Sequence, residues 1–164
     1  MSPGGAINQP ASHFSASLKD ELAALRDFTA ALQREQQALV AGDIDKLLPI
    51  VEEKTRLAAD LNRFAEQRQL LISAAGLPND RAGLEAWLAG QPIRTEDRAG
   101  WQKLLALTGE AQSLNESNGK LIAMRIQHNQ QALNVLQSAA NQTALYGPDG
   151  QTKSTGGGHL FGKA

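Results

Sequence analysis

FSASLKDELAALRDFTAALQREQQALVAGDIDKLLPIVEEKTRLAADLNRFAEQRQLL, residues 14–71, decides the fold. In its first half Phe14, Leu18, Glu21, Leu25, Phe28, Leu32, Glu35 and Leu39 recur at alternating steps of four and three, with Leu22 and Val40 widening the stripe. Such steps keep side chains on one face of a helix, so the spacing predicts roughly seven turns packing by a heptad-like seam. Gly42 tolerates the left-handed exit from that helix, and the Asp43 carboxylate can cap the next one. In the second half Leu47, Ile50, Lys54, Leu57, Leu61, Phe64, Arg68 and Leu71 form a second stripe, flanked by Val51, Ala58, Ala65 and Ile72. So short a connection makes the two helices antiparallel neighbours. Pro49 interrupts the pattern, because a proline inside a helix lacks the N–H and clashes with the preceding turn. A kink or a restarted helix is expected there.

Beyond residue 71 the signals remain helical. Gly76 and Pro78 close the second helix. Asn79 or Asp80 can cap a short connector carrying Leu84, Trp87 and Leu88, and Gly90 with Pro92 ends it. Trp87 is expected to pin this connector to the bundle. Thr95 can cap a last helix with Glu96 and Asp97 in its first turn, where acidic groups favour the positive end of the helix dipole. If unbroken from about Glu96 to Tyr146, that helix would be about 75 Å long, and one end would outrun its roughly 40–50 Å partners. Its seam runs Leu104, Leu107, Ala111, Leu114, Asn118 and Leu121, then steps to Ile122, Ile126, Asn129, Leu133, Leu136 and Ala140. The stripe therefore rotates, and the face that packs early differs from the face presented late. Gly100, Gly109 and Gly119 each cost about 1 kcal/mol against Ala in a helix interior, so close packing or bending is the reason to look for.

The expected class is all-α: an antiparallel bundle of three long helices with a short connector helix, heptad-like packing and flexible ends. Residues 1–12 are rich in Gly, Pro, Ser and Asn without periodicity and read as an arm, 13–146 as the helical bundle domain, and 147–164 as a Gly-rich disordered tail. The 164 residues suit one core.

Composition excludes several function classes. Sixteen Lys and Arg against 17 Asp and Glu leave a formal charge of -1, with no basic cluster. Nucleic acid and anionic lipid need a concentrated positive field and are not expected partners. No run approaches the ~20 apolar residues that span a bilayer, and residues 1–9 lack the pattern of a secretory leader, so the expectation is a cytoplasmic protein without membrane insertion. The absence of cysteine removes thiol chemistry and thiolate metal sites, and fits a reducing compartment.

Nothing in the sequence assembles catalysis, and no catalytic, cofactor or metal-binding residues are assigned. His13, His128 and His159 lie far apart, and Arg125 precedes His128 where a carboxylate-bundle metal site would need Glu. No G-x-S-x-G, GxxxxGK[ST] or GxGxxG occurs. Glu52, Glu53, Asp60 and Glu66 alternate with Lys54, Arg56, Arg63 and Arg68, the pattern of a solvated helix face. Glu21 and Glu35, set within an apolar stripe, should sit at the seam's edge or pair with a basic residue. The expectation is a non-enzymatic protein.

The informative anomaly is the late last helix. Residues 126–146 contain no Asp, Glu, Lys or Arg, and their polar positions are mostly Asn and Gln. Amides cost less to desolvate than charges and can bond a partner's backbone as both donor and acceptor. Such a surface suits being covered by another protein. A copy of the same chain, or no partner at all, would also be compatible with it, and a structural, self-associating coiled coil is the alternative class.

Three stretches carry a resemblance: EQQALVAGDIDKLLPIVEEKTRLAADLN (35–62), LNESNGKLIAM (114–124) and LYGPDGQT (145–152). In this order and spacing they resemble the flagellar export chaperones of the FlgN family. The resemblance implies a cytoplasmic chaperone that binds the C-terminal segments of hook-filament junction proteins. It implies delivery to the flagellar type III export apparatus, with docking at the cytoplasmic domain of the export gate. Carried onto this sequence, it implies client contact at Asn118, Gly119, Leu121, Ile122, Arg125, Ile126, Asn129, Leu133 and Leu136, and gate docking at Tyr146. That tyrosine could equally be an aromatic anchor for the helix end.

Overall fold

The computed structural model describes residues 9–145, and side-chain surroundings as far as residue 142. Among these residues every element is helical: α1 (Gln9–Ala41), a 3-10 turn (Ile44–Lys46), α2 (Leu47–Ala74), α3 (Arg81–Gly90) and α4 (Thr95–Leu145). Two compact units divide the chain, Met1–Ile122 and Ala123–Ala164. The remainder of the expected arm, Tyr146 and the expected tail lie outside the described residues.

Helix α1 begins at Gln9, ahead of the expected start at His13, because Ala11 already has a buried face to offer. The stripe predicted for α1 is the side that packs: Phe14, Leu18, Leu25, Leu32 and Leu39 are buried, and so are Glu21 and Glu35. Val40 instead is 68% exposed, since the residue after Leu39 is turned about 100° off the seam.

Gly42, at φ 74°, ends α1 in a left-handed turn. Asp43 N–H donates to the Ala38 carbonyl at 3.0 Å and Gly42 N–H to Leu39 at 3.4 Å, which satisfies carbonyls the helix end would leave open. Gly76, at φ 71°, repeats the arrangement at the end of α2, with Leu77 bonded to Ile72 and Gly76 to Ser73. Asp43 does not cap as expected: its side chain makes no cap hydrogen bond and pairs instead with Lys46 at 2.8 Å. The 3-10 turn moves the start of α2 to Leu47, so Pro49 falls in the first helical turn. There the missing N–H has no intrahelical acceptor to forfeit, and the expected restart replaces any kink.

Directions follow from side-chain pairs. Glu21 bonds Arg68 and Glu35 bonds Lys54, so α1 and α2 are antiparallel. Both pairs join the acidic stripe positions of α1 to the basic stripe positions of α2. Arg68 also places its guanidinium 5.1 Å from the centre of the Trp101 ring, and Lys54 Nζ lies 3.5 Å from Asn115 Oδ1, so α4 is antiparallel to α2. Ser15 with Arg94 and Leu32 with Asn118 make it parallel to α1. The chain thus runs up, down and up through the first unit.

Phe14, Leu18, Leu25, Leu32, Ile72, Trp101, Leu104 and Ala111 share one core with Leu84, Trp87 and Leu88 of α3. Phe14 sits 5.4 Å from the Trp87 ring and 6.4 Å from Trp101, in tilted geometries that aromatic pairs favour. Trp87 pins the connector as predicted. Asp80 caps α3 by accepting from Gly83 N–H at 2.7 Å. Only glycine fits at 83, because a Cβ there would lie 1.8 Å from the Pro78 carbonyl oxygen.

At the start of α4 the carbonyl of Arg94 accepts from Asp97 and Arg98, so Thr95 opens the helix instead of capping it. Arg94 donates to both Asp97 oxygens, at 3.0 and 3.3 Å, and to Ser15 Oγ at 2.8 Å. The Arg94 hydrogen bond holds the Asp97 carboxyl below its usual pKa, against burial and with help from Ser15. Gly100 meets α1 closely, since a Cβ there would be 3.2 Å from Leu18 Cδ2. Gly109 and Gly119 have nothing within 4 Å, so neither is required by packing.

Candidate partner-binding surface

Asn118 is fully buried. Its Nδ2 donates to the Leu32 carbonyl at 2.9 Å and to Glu35 Oε1 at 3.2 Å. Lys54 Nζ holds the other Glu35 oxygen at 2.7 Å, and Gln36 Nε2 reaches Ser117 Oγ at 3.4 Å beside them. A carboxylate that is 3% exposed needs such partners, because desolvation without them costs several kcal/mol. Asn118 is therefore held inside the first unit through its Nδ2, with its buried Oδ1 unpaired, and has no surface to offer a client. In sequence a polar residue on a seam looks the same whether it faces a neighbouring helix or a partner.

The next expected contacts also belong to the first unit but face outward to different degrees. Gly119 is exposed, Leu121 is half-buried and Ile122 is 41% exposed.

Arg125, Ile126, Asn129, Leu133 and Leu136 fall in the second unit and are all exposed. The aliphatic side chains stand 64% (Ile126), 53% (Leu133) and 65% (Leu136) open. Steps of seven and three put them on one side of the helix, with Asn129 between. Two further large side chains, Met124 at 65% and Val135 at 67%, are exposed in the same unit. Sequence reasoning passed over them because they lie off the predicted seam, although their spacing of eleven residues is itself a helical repeat. Gln130 Nε2 bonds Asn134 Oδ1 at 3.3 Å, one amide satisfying another on the surface.

Five exposed large aliphatics within thirteen residues, 124–136, are many for a helix that carries no charge from 126 onward. Isolated exposed apolar residues are ordinary, whereas a contiguous group marks an interaction surface. Among the described residues there is no cluster of His, Cys, Asp and Glu that could hold a metal, and no helix is long and apolar enough to cross a membrane.

Comparison with known proteins finds matches to one family. The family model described as FlgN protein matches residues 11–154. A "Flagella synthesis protein FlgN" from Proteus mirabilis is 34% identical over 135 residues, covering 81% of this chain and 85% of the relative. The protein of the same description from Salmonella typhimurium is 35% identical over 130 residues, covering 78% and 81%. That from Escherichia coli is 30% identical over 151 residues, covering 90% and 94%. No solved structure matches.

Proposed function

The chain belongs to the FlgN family, and on that premise we propose that it is a cytoplasmic export chaperone for flagellar assembly. Its clients are the C-terminal segments of hook-filament junction proteins, which it delivers to the type III export apparatus at the cytoplasmic domain of the export gate. One observation carries this proposal: Ile126, Leu133 and Leu136 lie on one side of the part of α4 that has no charge from 126 onward, with more than half of each side chain open. An amphipathic client segment laid along them would supply packing that the free chain lacks, at low desolvation cost. Gly119, Leu121, Ile122, Arg125 and Asn129 remain proposed client positions. Asn118 acts behind them by fixing α4 to α1. Tyr146 is the proposed gate contact.

The test is sedimentation of the purified chain with and without the C-terminal segment of a junction protein. A free monomer that becomes a one-to-one complex is the expected result. A stable dimer that takes up no client would favour the alternative, a self-associating coiled-coil protein.

A further inference from the structure

The second unit carries two apolar stripes. Ile126, Leu133 and Leu136 form the first. Met124 and Val135 form the other, with His128 one turn after Met124. Leu133 and Val135 are two residues apart, which on a helix places them roughly 200° around the axis from one another. All five aliphatic side chains are at least half exposed. One flank between the stripes is amide, with Gln127, Gln130, Asn134 and Gln137, while Arg125 stands on the other, between Met124 and Ile126, so the amide flank is the one that joins the stripes without a charge.

We infer that a single client segment wraps this helix and covers both stripes, so that the helix ends up inside the complex. This rests on the proposed chaperone function and deepens it, because it states what the client must be: a segment with two uncharged, apolar-seamed stretches, long enough to reach around. A partner held only on Ile126, Leu133 and Leu136 would leave the other apolar stripe, with Met124 and Val135, in water. An independent second partner, or a second copy of this chain, is disfavoured by the size of the second stripe. Two large side chains eleven positions apart are too little to repay the lost freedom of a separate molecule. The same two side chains suffice for an extension of a client already held on the first stripe, because its effective concentration is high and no second association cost arises. The amide flank lets the client cross from one stripe to the other without burying a charge.

The chain has no cysteine, so single-cysteine variants report one position each. Leu133→Cys marks the first stripe and Val135→Cys the second, and both sites are exposed, so neither should disturb folding. Maleimide labelling rates are measured with and without saturating C-terminal segment of a junction protein, in a complex shown by sedimentation to be one-to-one. Both rates should fall at least ten-fold. Protection of Leu133→Cys with Val135→Cys reacting as in the free protein overturns the wrapping while leaving the chaperone function standing. Concentration-dependent protection of Val135→Cys in the client-free protein also overturns it, and makes the second copy the occupant. Absence of any complex with the unsubstituted chain overturns both.

Discussion

Asn118 Nδ2 lies 3.2 Å from Glu35 Oε1, across 83 residues of sequence, and completes a polar contact in which Lys54 holds the other carboxylate oxygen at 2.7 Å. Three helices meet at this carboxylate, one residue type from each. The same amide also donates to the Leu32 carbonyl, so its removal takes two buried hydrogen bonds at once and leaves Glu35 with Lys54 on one oxygen only.

Asn118→Ala should therefore lower stability by roughly 2 kcal/mol, from the two lost buried hydrogen bonds and the small void. Asn115→Ala removes only an exposed 3.5 Å contact to Lys54 and should cost under about 0.5 kcal/mol. Urea unfolding separates the two. With the protein still folded, client affinity of Asn118→Ala should stay within about two-fold of the parent, because Asn118 has no exposed surface. A loss beyond ten-fold would return Asn118 to the client-contacting set.

Much of the first unit was legible because burial imposes periodicity. Glu21 and Glu35 stood on one stripe, Arg68 and Lys54 on the next, and the short turn at Gly42 let each acid meet a base. Trp87 was legible as a large residue on an otherwise spare connector. Trp101 was missed although it lies three residues before Leu104, because the seam was begun one turn late. Arg94 was missed because its bonds to Ser15 and Asp97 depend on where α3 returns the chain, which no local pattern encodes. The exposed stretch of α4 from 126 onward was legible through its lack of charge, but the fate of Asn118 was not, since seam and interface use the same residue types.

The glycines separate by what a methyl group would meet. Gly83→Ala has no room beside the Pro78 carbonyl and should displace the start of α3, at a cost above about 3 kcal/mol. Gly109→Ala meets open space and should stabilise by up to about 1 kcal/mol. Gly119→Ala should do the same, with a second readout: if the client's backbone closes on Gly119, affinity falls while the melting temperature rises. Calorimetry and a binding titration on each variant check all three outcomes.

Two acids should respond to pH with opposite signs. Burial raises the Glu21 carboxyl above its ordinary pKa despite the Arg68 charge and hydrogen bond, while the Arg94 hydrogen bond lowers that of Asp97. A lowered folded-state pKa means that the Asp97 contribution is present above its unfolded value of 3.8 and is lost as pH falls through the folded value. Asp97→Asn should thus be most destabilising near neutrality and approach the parent in acid. A raised value means that the Glu21 contribution is present below 4.5 and lost as pH rises through the folded value. Glu21→Gln should compare more favourably with the parent at neutral pH than in acid. Denaturation midpoints across the acid-to-neutral range decide each sign.

The Tyr146 proposal divides docking from anchoring. Tyr146→Ala should abolish binding to the cytoplasmic domain of the export gate with the melting temperature unchanged, if the ring is a contact. A fall in melting temperature with gate binding retained at low temperature would make it an anchor for the helix end instead.

The client surface should fail selectively when charged. Ile126→Asp with Leu133→Asp places two carboxylates on side chains that are 64% and 53% exposed in the free chain, so neither replaces core packing. Helical content and the unfolding midpoint should stay near the parent values, because surface changes of this kind are usually within about 0.5 kcal/mol. In a complex both carboxylates would lose their water beneath an apolar client stripe without a cation to pair with, a penalty of several kcal/mol. Affinity should fall by about a hundred-fold or more. Leu104→Asp is the contrasting variant, since Leu104 is 3% exposed in the first unit and its loss should unfold the bundle. A double variant that keeps both its fold and its client affinity would remove the uncharged helix from the binding surface and with it the observation on which the chaperone function rests.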